Sequence, residues 1–117
     1  MDYTIINVNG ESKVIHLYVI FEEYAYKIGE ATKTKSGEYY VKFNQLQFLS
    51  LMEDIAKSRN KNDIQKLISL KYDLYGKYSL YFYLGTTKNT LKEAKKALAD
   101  FMQSEPMLDL KNALTNY

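Results

Sequence analysis

The feature that most constrains the fold of this chain is a change in the spacing of its apolar residues at Gln45. Before Gln45, apolar and polar side chains alternate, which is the period of a strand whose two faces differ. After Gln45, apolar residues recur every three or four positions, as they do along one side of a helix. The sequence therefore predicts strands in the first part of the chain and mainly helices in the second.

Two hairpins are predicted before Gln45. Residues 3–8 and 13–22 form the strands of the first, joined through Asn9-Gly10, since both of these residues tolerate positive φ. A polar turn separates the two strands of the second hairpin, residues 24–28 and 39–44. Strand 13–22 has apolar residues on both faces, which is typical of a central strand.

Two other segments have spacings that matter for the fold. Residues 17–28 also fit a helical period, so a partly helical segment is the alternative to the strands there. A later strand is predicted at residues 78–84, where one face carries Tyr78, Leu80, Phe82 and Leu84 and the other carries Ser79, Tyr81 and Tyr83. The next three residues, Gly85-Thr86-Thr87, are expected to end this strand.

Helical stripes account for most of the remaining chain. The first helix is predicted from a stripe that consists of Leu46, Leu49, Met52, Ile55 and Ala56. The second is capped by Asp63 and ends near Gly76, with a stripe of Ile64, Leu67, Ile68 and Tyr75. Thr90 and Glu93 have the spacing of a capping box, and Pro106 is suited to the first turn of a last short helix.

These elements predict a single α+β domain over residues 1–117. We expect a mostly antiparallel sheet of about five strands, made of two N-terminal hairpins plus one later strand, packed by three to four helices on one face. The chain length fits one domain of ordinary size.

The composition excludes several kinds of chemistry. The chain has no cysteine and one histidine, His16, which removes disulfides, thiolate metal sites and cysteine nucleophiles. Its five glycines are isolated from one another, so no glycine-rich phosphate loop is present. We therefore expect a protein that is not an enzyme and that has no catalytic residues, metal or cofactor. No apolar run is long enough for a membrane span, and a cytoplasmic location is expected.

Charge is unevenly distributed along the chain. Residues 1–56 carry five lysines against eight acids, a balance of −3, and residues 97–117 carry one lysine against three acids, a balance of −2. Residues 57–96 carry ten basic residues against three acids, a balance of +7. A basic face attracts phosphate groups or acidic proteins.

Twelve tyrosines favour an interaction surface, because tyrosine combines a large apolar ring with a polar tip. The sequence predicts a small non-enzymatic module that binds a protein partner with an acidic surface. By analogy of size and composition, we expect an inhibitor or accessory protein of a phage or mobile element, for example one that acts against host defence. Self-association through an unpaired strand edge is a further alternative.

The second function considered is binding of single-stranded nucleic acid, in which exposed tyrosines stack on bases and lysines contact phosphates. The scarcity of arginine, with Arg59 alone, weighs against this function. The candidate binding residues for either partner are the cations and tyrosines of the second hairpin, the basic segment after the first helix, and the later strand: Lys33, Lys35, Tyr39, Tyr40, Lys42, Lys57, Arg59, Lys61, Tyr81 and Tyr83.

Overall fold

The computed structural model describes residues 1–58 and 64–115. Its strands are β1 (Asp2–Asn7), β2 (Val14–Phe21), β3 (Tyr24–Lys33), β4 (Tyr39–Phe43) and β5 (Thr86–Lys88). Its helices are α1 (Gln45–Ser58), α2 (Ile64–Lys77), α3 (Ser79–Tyr83), α4 (Leu91–Asp100) and α5 (Glu105–Thr115). The predicted α+β class, with two N-terminal hairpins and one later strand, is confirmed.

The five strands form one antiparallel sheet in the order β1-β2-β3-β4-β5. Asn9 and Gly10 have φ values of 57° and 72°, so the first connection uses the left-handed conformation that its sequence favours. A two-residue turn joins β2 to β3, and Phe21 pairs directly with Tyr24. The partly helical alternative for residues 17–28 is therefore wrong, because this segment is the hairpin of β2 and β3.

The helices cover one face of the sheet. On β2, Ile15, Leu17 and Val19 are fully buried on the covered face, whereas Val14 and His16 belong to the half-buried residues of the opposite face. The buried apolar side chains form one cluster between the sheet and the helices. The opposite, uncovered face has no second layer among the described residues, so it is a half-polar surface.

The later strand lies at a different place from the one predicted. Residues 79–83 form α3, and the segment expected to end the strand, Thr86 included, provides β5 instead. Tyr78 and Phe82 are the two buried residues of this stretch, at 5% and 4% exposure. They are four residues apart, which places both on one side of a helix turn. The strand predicted at residues 78–84 is therefore wrong, because the alternating side chains of this segment belong to a short helix.

The core face of α1 also differs from the predicted stripe. Met52, Ile55 and Ala56 are buried as predicted, but the side chains that complete the core face are Phe48 and Leu51. The predicted stripe members at the start of this helix lie elsewhere: Leu46 is 73% exposed and Leu49 is half-buried. On α2, the predicted stripe residues Ile68 and Tyr75 are likewise exposed.

Two predictions about helix ends can be assessed. Thr90 caps α4, since its Oγ1 accepts a hydrogen bond from the backbone N–H of Glu93 at 3.1 Å, as the capping box predicts. Pro106 lies in the first turn of α5. Asp63, predicted to cap α2, lies outside the described residues.

None of the helices described here is both long and apolar enough to cross a bilayer.

Candidate protein-binding surface

A surface with several exposed apolar side chains is built by α1 and α2, which run antiparallel to each other. Gln45, at the start of α1, donates from Nε2 to the backbone carbonyl of Tyr75 near the end of α2, at 3.2 Å. Further along, Lys71 of α2 pairs with Glu53 of α1 at 3.5 Å. The two helices therefore form a helical hairpin, with the beginning of one beside the end of the other.

A groove of about 420 Å³ runs along this helical hairpin, lined by Leu49, Ile68, Lys71, Tyr72 and Tyr75. A second depression, of about 350 Å³, adjoins it and shares Tyr75; its other lining residues are Gln45, Ser79, Leu80, Phe82 and Tyr83. We call the two depressions together, with the neighbouring Leu46, the tyrosine groove.

Large apolar side chains project from the tyrosine groove into solvent. Leu46 and Tyr72 are each 73% exposed, Leu80 is 68% exposed and Tyr83 is 74% exposed. Single exposed apolar residues are ordinary on a protein surface, whereas several that surround one concave region mark an interaction site. The sequence explains this arrangement, because α1 is apolar on two sides and only one of them faces the sheet.

The chemistry of the tyrosine groove changes along its length. Apolar and tyrosine side chains surround the start of α1, the end of α2 and α3. Toward the other end of α1, Glu53 lies 3.5 Å from Lys71 and 3.8 Å from Lys57. Glu53 therefore pairs with two ammonium groups, of which Lys71 lines the groove and Lys57 lines a separate depression together with Glu22 and Asp54.

A buried tyrosine fixes α1 to the sheet. The O–H of Tyr26, on β3, donates to the carboxylate of Asp54 on α1, and Ser58 of α1 donates to Glu22 at the β2–β3 turn. Burial, together with the hydrogen bond to Asp54, raises the pKa of Tyr26 well above its usual value. These two hydrogen bonds connect the helix that forms one wall of the tyrosine groove to the β2–β3 hairpin of the sheet.

The end of α2 is fixed in a similar way. Tyr78, just beyond α2, donates its O–H to Asp109 of α5, and Lys77 donates to the same carboxylate at 2.7 Å. The hydrogen bonds from Lys77 and Tyr78 lower the pKa of Asp109. Burial and the nearby carboxylate raise the pKa of Tyr78. These contacts connect the second wall of the groove to the C-terminal helix.

The predicted binding residues of the second hairpin are divided between different environments. Tyr39 is only 4% exposed, and its O–H donates to the carbonyl of Ser12 at 2.9 Å. Tyr40 and Lys42 lie on the uncovered face of the sheet, where Lys42 is directly opposite Glu30 on β3. The exposed pair Lys33 and Lys35 lies at the end of β3 and in the turn that follows.

The predicted binding residues of the later segments also lie apart. Tyr81 is stacked on Phe43, with ring centroids 5.8 Å apart, whereas Tyr83 is exposed in the tyrosine groove. Since this segment is helical, these two tyrosines do not share a strand face. Lys57 is exposed near the end of α1, and Arg59 and Lys61 lie outside the described residues. Of the eight candidates in the part of the chain that the structure describes, Tyr83 lines the tyrosine groove, whereas Lys57 lines a separate depression together with Tyr26 and Asp54.

Several residues of the tyrosine groove were not among the predicted binding residues: Leu46, Leu49, Ile68, Tyr72, Tyr75 and Leu80. Their spacing contains a usable signal, because Ile68, Tyr72 and Tyr75 lie on one side of α2 while Leu74 and Tyr78 supply its buried side. Because α2 is apolar on two sides and only one of them packs in the core, the other side is left exposed in the groove.

The uncovered face of the sheet carries the one histidine of the chain. His16 lies between the hydroxyl of Tyr18, 3.1 Å from Nδ1, and the carboxylate of Glu30, 3.2 Å from Nε2. Lys27 approaches the same carboxylate at 3.7 Å. These side chains pair with one another across neighbouring strands, so the network stabilises the sheet. No three His, Cys, Asp or Glu side chains converge as metal ligands in the described part of the chain.

Comparisons with protein-family models, with curated proteins and with solved structures gave no match to this chain.

Proposed function

We propose that this protein is a non-enzymatic module that binds a protein partner on the tyrosine groove. The observation that carries the proposal is the lining of two adjoining depressions by Tyr72, Leu80 and Tyr83, each at least 68% exposed. The exposed Leu46 is next to Gln45, which lines the second depression. Tyrosine is prominent among the residues that dominate binding energy at protein interfaces, and such residues cluster in pockets at the centre of a contact.

The hydrogen bonds that hold the two walls of the groove support the same proposal. Tyr26 and Asp54 hold α1 against the sheet, and Tyr78 and Asp109 hold the end of α2 against α5. A binding surface that is already formed before association loses less conformational entropy when the partner docks. The exposed tyrosine rings add contact area with few rotatable bonds, which lowers the same cost.

The mode of action that fits a module of this kind is occupation of a surface on its partner. An inhibitor or accessory protein of a phage or mobile element works in this way, and that origin stays a prediction made from size and composition.

Site-specific photocrosslinking in the source cells tests the proposal. A photoreactive phenylalanine analogue is placed at Tyr72 or Tyr83, and at Tyr3 of β1 as a matched control, since Tyr3 is an exposed tyrosine outside the groove. We expect the same polypeptide to be crosslinked from both groove positions and not from Tyr3. Adding Leu80→Ser to the groove probes should abolish the adduct.

Affinity measurements with the purified crosslinked polypeptide complete the test. We expect Tyr72→Ser or Leu80→Ser to raise Kd by about tenfold or more, as truncation of a central interface residue does, and Tyr3→Ser to leave Kd unchanged. Thermal unfolding of each variant checks that the fold is intact. Equal crosslinking from all three positions, or unchanged Kd in the groove variants, would overturn the proposal.

A further inference from the structure

The two edge strands of the sheet differ in how they are protected from pairing with another chain. β5 has three residues and ends with Lys88, and both short length and lysine protect an edge strand. β1 has six residues, which pair with β2 from Asp2 to Asn7 without a bulge, and it contains no lysine, proline or glycine. Within the described part of the chain no strand pairs with the outer edge of β1, so its outward N–H and C=O groups form a template for a further strand.

β1 also exposes apolar side chains on both faces of the sheet. Tyr3 is opposite Val19, on the face that the helices cover, and is 46% exposed. Ile6 is opposite His16, on the uncovered face, and is 45% exposed. A helix docked on one face would cover only one of these two side chains, whereas a strand added to the edge lies beside both. The arrangement therefore favours a strand as the occupant of this edge.

A second copy of this chain is the strand that leaves the sheet protected. A foreign extended segment paired with β1 would become the new edge strand and would expose its own outer edge. When two copies pair antiparallel through β1, the outer strands of the joined sheet are both β5, the short strand that ends with Lys88. Such a two-fold contact closes on itself, so it gives a dimer and not an open-ended polymer.

We infer that this protein forms a two-fold symmetric homodimer in which the β1 strands of the two copies pair antiparallel and continue one sheet. Residues directly opposite each other in such a pair have side chains on the same face. A two-fold axis at Ile5 places Ile5 opposite Ile5 of the second copy and Thr4 opposite Ile6 of the second copy, and it keeps the charged Asp2 outside the paired residues 3–7. The inference goes beyond the proposed function, because β1 is separate from the tyrosine groove.

Sedimentation equilibrium of the full chain tests the inference. We expect the wild-type protein to be a dimer that dissociates on dilution. Thr4→Lys should weaken the dimer about tenfold or more, because each new ammonium group lies opposite an isoleucine of the second copy and near its own symmetry mate. Thr4→Val keeps a β-branched side chain and should dimerise as the wild type does. Thr87→Lys makes the same charge change at an exposed position of β5, and should leave the dimer unchanged.

Thermal unfolding of each variant checks that the fold is intact. A monomer at protein concentrations up to about 1 mM, or a mass that keeps growing with concentration, would overturn the inference. A dimer that Thr4→Lys and Thr87→Lys weaken equally would overturn it as well. A dimer that is kept in Thr4→Lys and lost in Tyr72→Ser would place the contact in the tyrosine groove, which also overturns it.

Thiol crosslinking locates the contact without adding charge to the strand. The chain has no cysteine, so Thr4→Cys provides a single thiol. With the axis at Ile5, the two copies of residue 4 are diagonal neighbours about 7–8 Å apart, a separation that a short bismaleimide spans. We expect a covalent dimer from Thr4→Cys and none from Thr87→Cys. Equal crosslinking of the two variants, or none in either, would overturn the inference.

The photoreactive analogue at Tyr3 gives an independent result. In the dimer Tyr3 is opposite Asn7 of the second copy, so we expect this probe to join two copies of the chain. That product differs from the polypeptide crosslinked from Tyr72 and Tyr83. Failure of the dimer therefore leaves the proposed function standing, and failure of the groove leaves the dimer standing.

Discussion

The ring of Tyr40, on the uncovered face of the sheet, lies against the backbone of Gly85, so that a Cβ atom on residue 85 would overlap the ring. Tyr40 is next to Val41 on β4, and Gly85 immediately precedes β5, so this contact covers the place where the last strand joins the sheet. An aromatic ring that covers a glycine in this way compensates for the side chain that the glycine lacks.

The contact predicts that Gly85→Ala has different effects in two backgrounds. In the wild-type chain the new methyl group has to displace the hydroxyl end of the Tyr40 ring, which offsets the gain from restricting the unfolded chain. In a Tyr40→Ala chain the same change meets no ring and stabilises by about 0.4–1 kcal/mol, because it restricts the unfolded chain. Urea denaturation of the four proteins should give a coupling energy of at least about 0.5 kcal/mol. Equal effects in both backgrounds would contradict the contact.

Tyr26 provides a prediction for alkaline pH. Tyr26→Phe should lower the free energy of unfolding by about 1 kcal/mol at neutral pH, because the hydrogen bond to Asp54 is lost. Since burial and Asp54 raise the pKa of Tyr26 in the folded state, the protonated phenol is favoured by folding. Its contribution is complete below the usual tyrosine pKa of about 10 and is lost as the pH rises above it.

The measurement is urea denaturation of both proteins from pH 7 to pH 11. The difference between wild type and Tyr26→Phe should narrow above pH 10. Tyr24→Phe is the matched control, because Tyr24 is 65% exposed on the same strand, and it should change stability little at any pH. A difference that stays constant through pH 11 would argue against the raised pKa.

Asp109 provides a prediction for acid pH. Lys77 and Tyr78 donate hydrogen bonds to its carboxylate and lower its pKa in the folded state. The ionised form is therefore favoured by folding, and its contribution is present above the usual aspartate pKa of about 4 and is lost as the pH falls through the lower folded value. Asp109→Asn should destabilise the protein at pH 7, and the difference from wild type should shrink below pH 4.

Asp100→Asn is the control for this measurement. Asp100 is 60% exposed and pairs with Lys96 one turn away on the same helix, at 2.8 Å. Exposed pairs of this kind contribute little to stability, so this variant should unfold nearly as the wild type does at both pH values. If the two aspartate variants behave alike, the connection between α2 and α5 through Asp109 does not stabilise the fold.

Nucleic-acid binding can be tested through two neighbouring tyrosines. Tyr81 stacks on Phe43 and lies near Phe101, but it is 37% exposed. Tyr81→Ala should therefore destabilise the fold by less than the about 3–5 kcal/mol seen for fully buried aromatic residues. Tyr83→Ala should leave stability unchanged, because Tyr83 is 74% exposed. The second variant is therefore the usable probe of stacking.

We expect no preference for single-stranded over double-stranded oligonucleotides at either low or physiological salt. Stacking proteins present several aromatic rings along one basic channel, whereas Tyr39 is buried and Tyr40 and Tyr83 lie on different surfaces. Fluorescence anisotropy with labelled oligonucleotides is the measurement. Single-strand binding that weakens with salt and is lost in Tyr83→Ala would revive this alternative.

The sequence predicts local features of the fold better than it predicts exposed surfaces. Asn9-Gly10 and the cap of Thr90 involve residues close together in the chain, and the structure has both as predicted. For residues 78–84 the sequence does not predict the local structure reliably, because a short run of aromatic and aliphatic residues fits both the period of a strand and the period of a helix. Packing of Phe82 against Phe48, with centroids 5.2 Å apart, is a long-range contact that favours the helix.

The position of the candidate surface depends on which side of α1 packs on the sheet, and the spacing of apolar residues does not determine this. Leu46 and Leu51 are both leucines of the same amphipathic helix, yet one is 73% exposed and the other is fully buried. Which side of α1 faces the sheet depends on how Phe48 fits among the other core aromatics, and this requires the assembled structure. For β4, the alternation of side chains likewise does not show which face of the sheet the helices cover. Tyr39, predicted as an exposed binding residue, lies on the covered face and is buried.

The pairing of β4 with β5 has a consequence for the order of folding. β1 to β4 follow one another through short connections, so their pairings close small loops. The pairing of β5 with β4 instead closes a loop that contains residues 44–85. Closing a longer loop costs more chain entropy, and three residues of β5 offer few hydrogen bonds in return. The four-stranded meander can therefore form early, and β5 should be the first strand whose amides exchange with solvent.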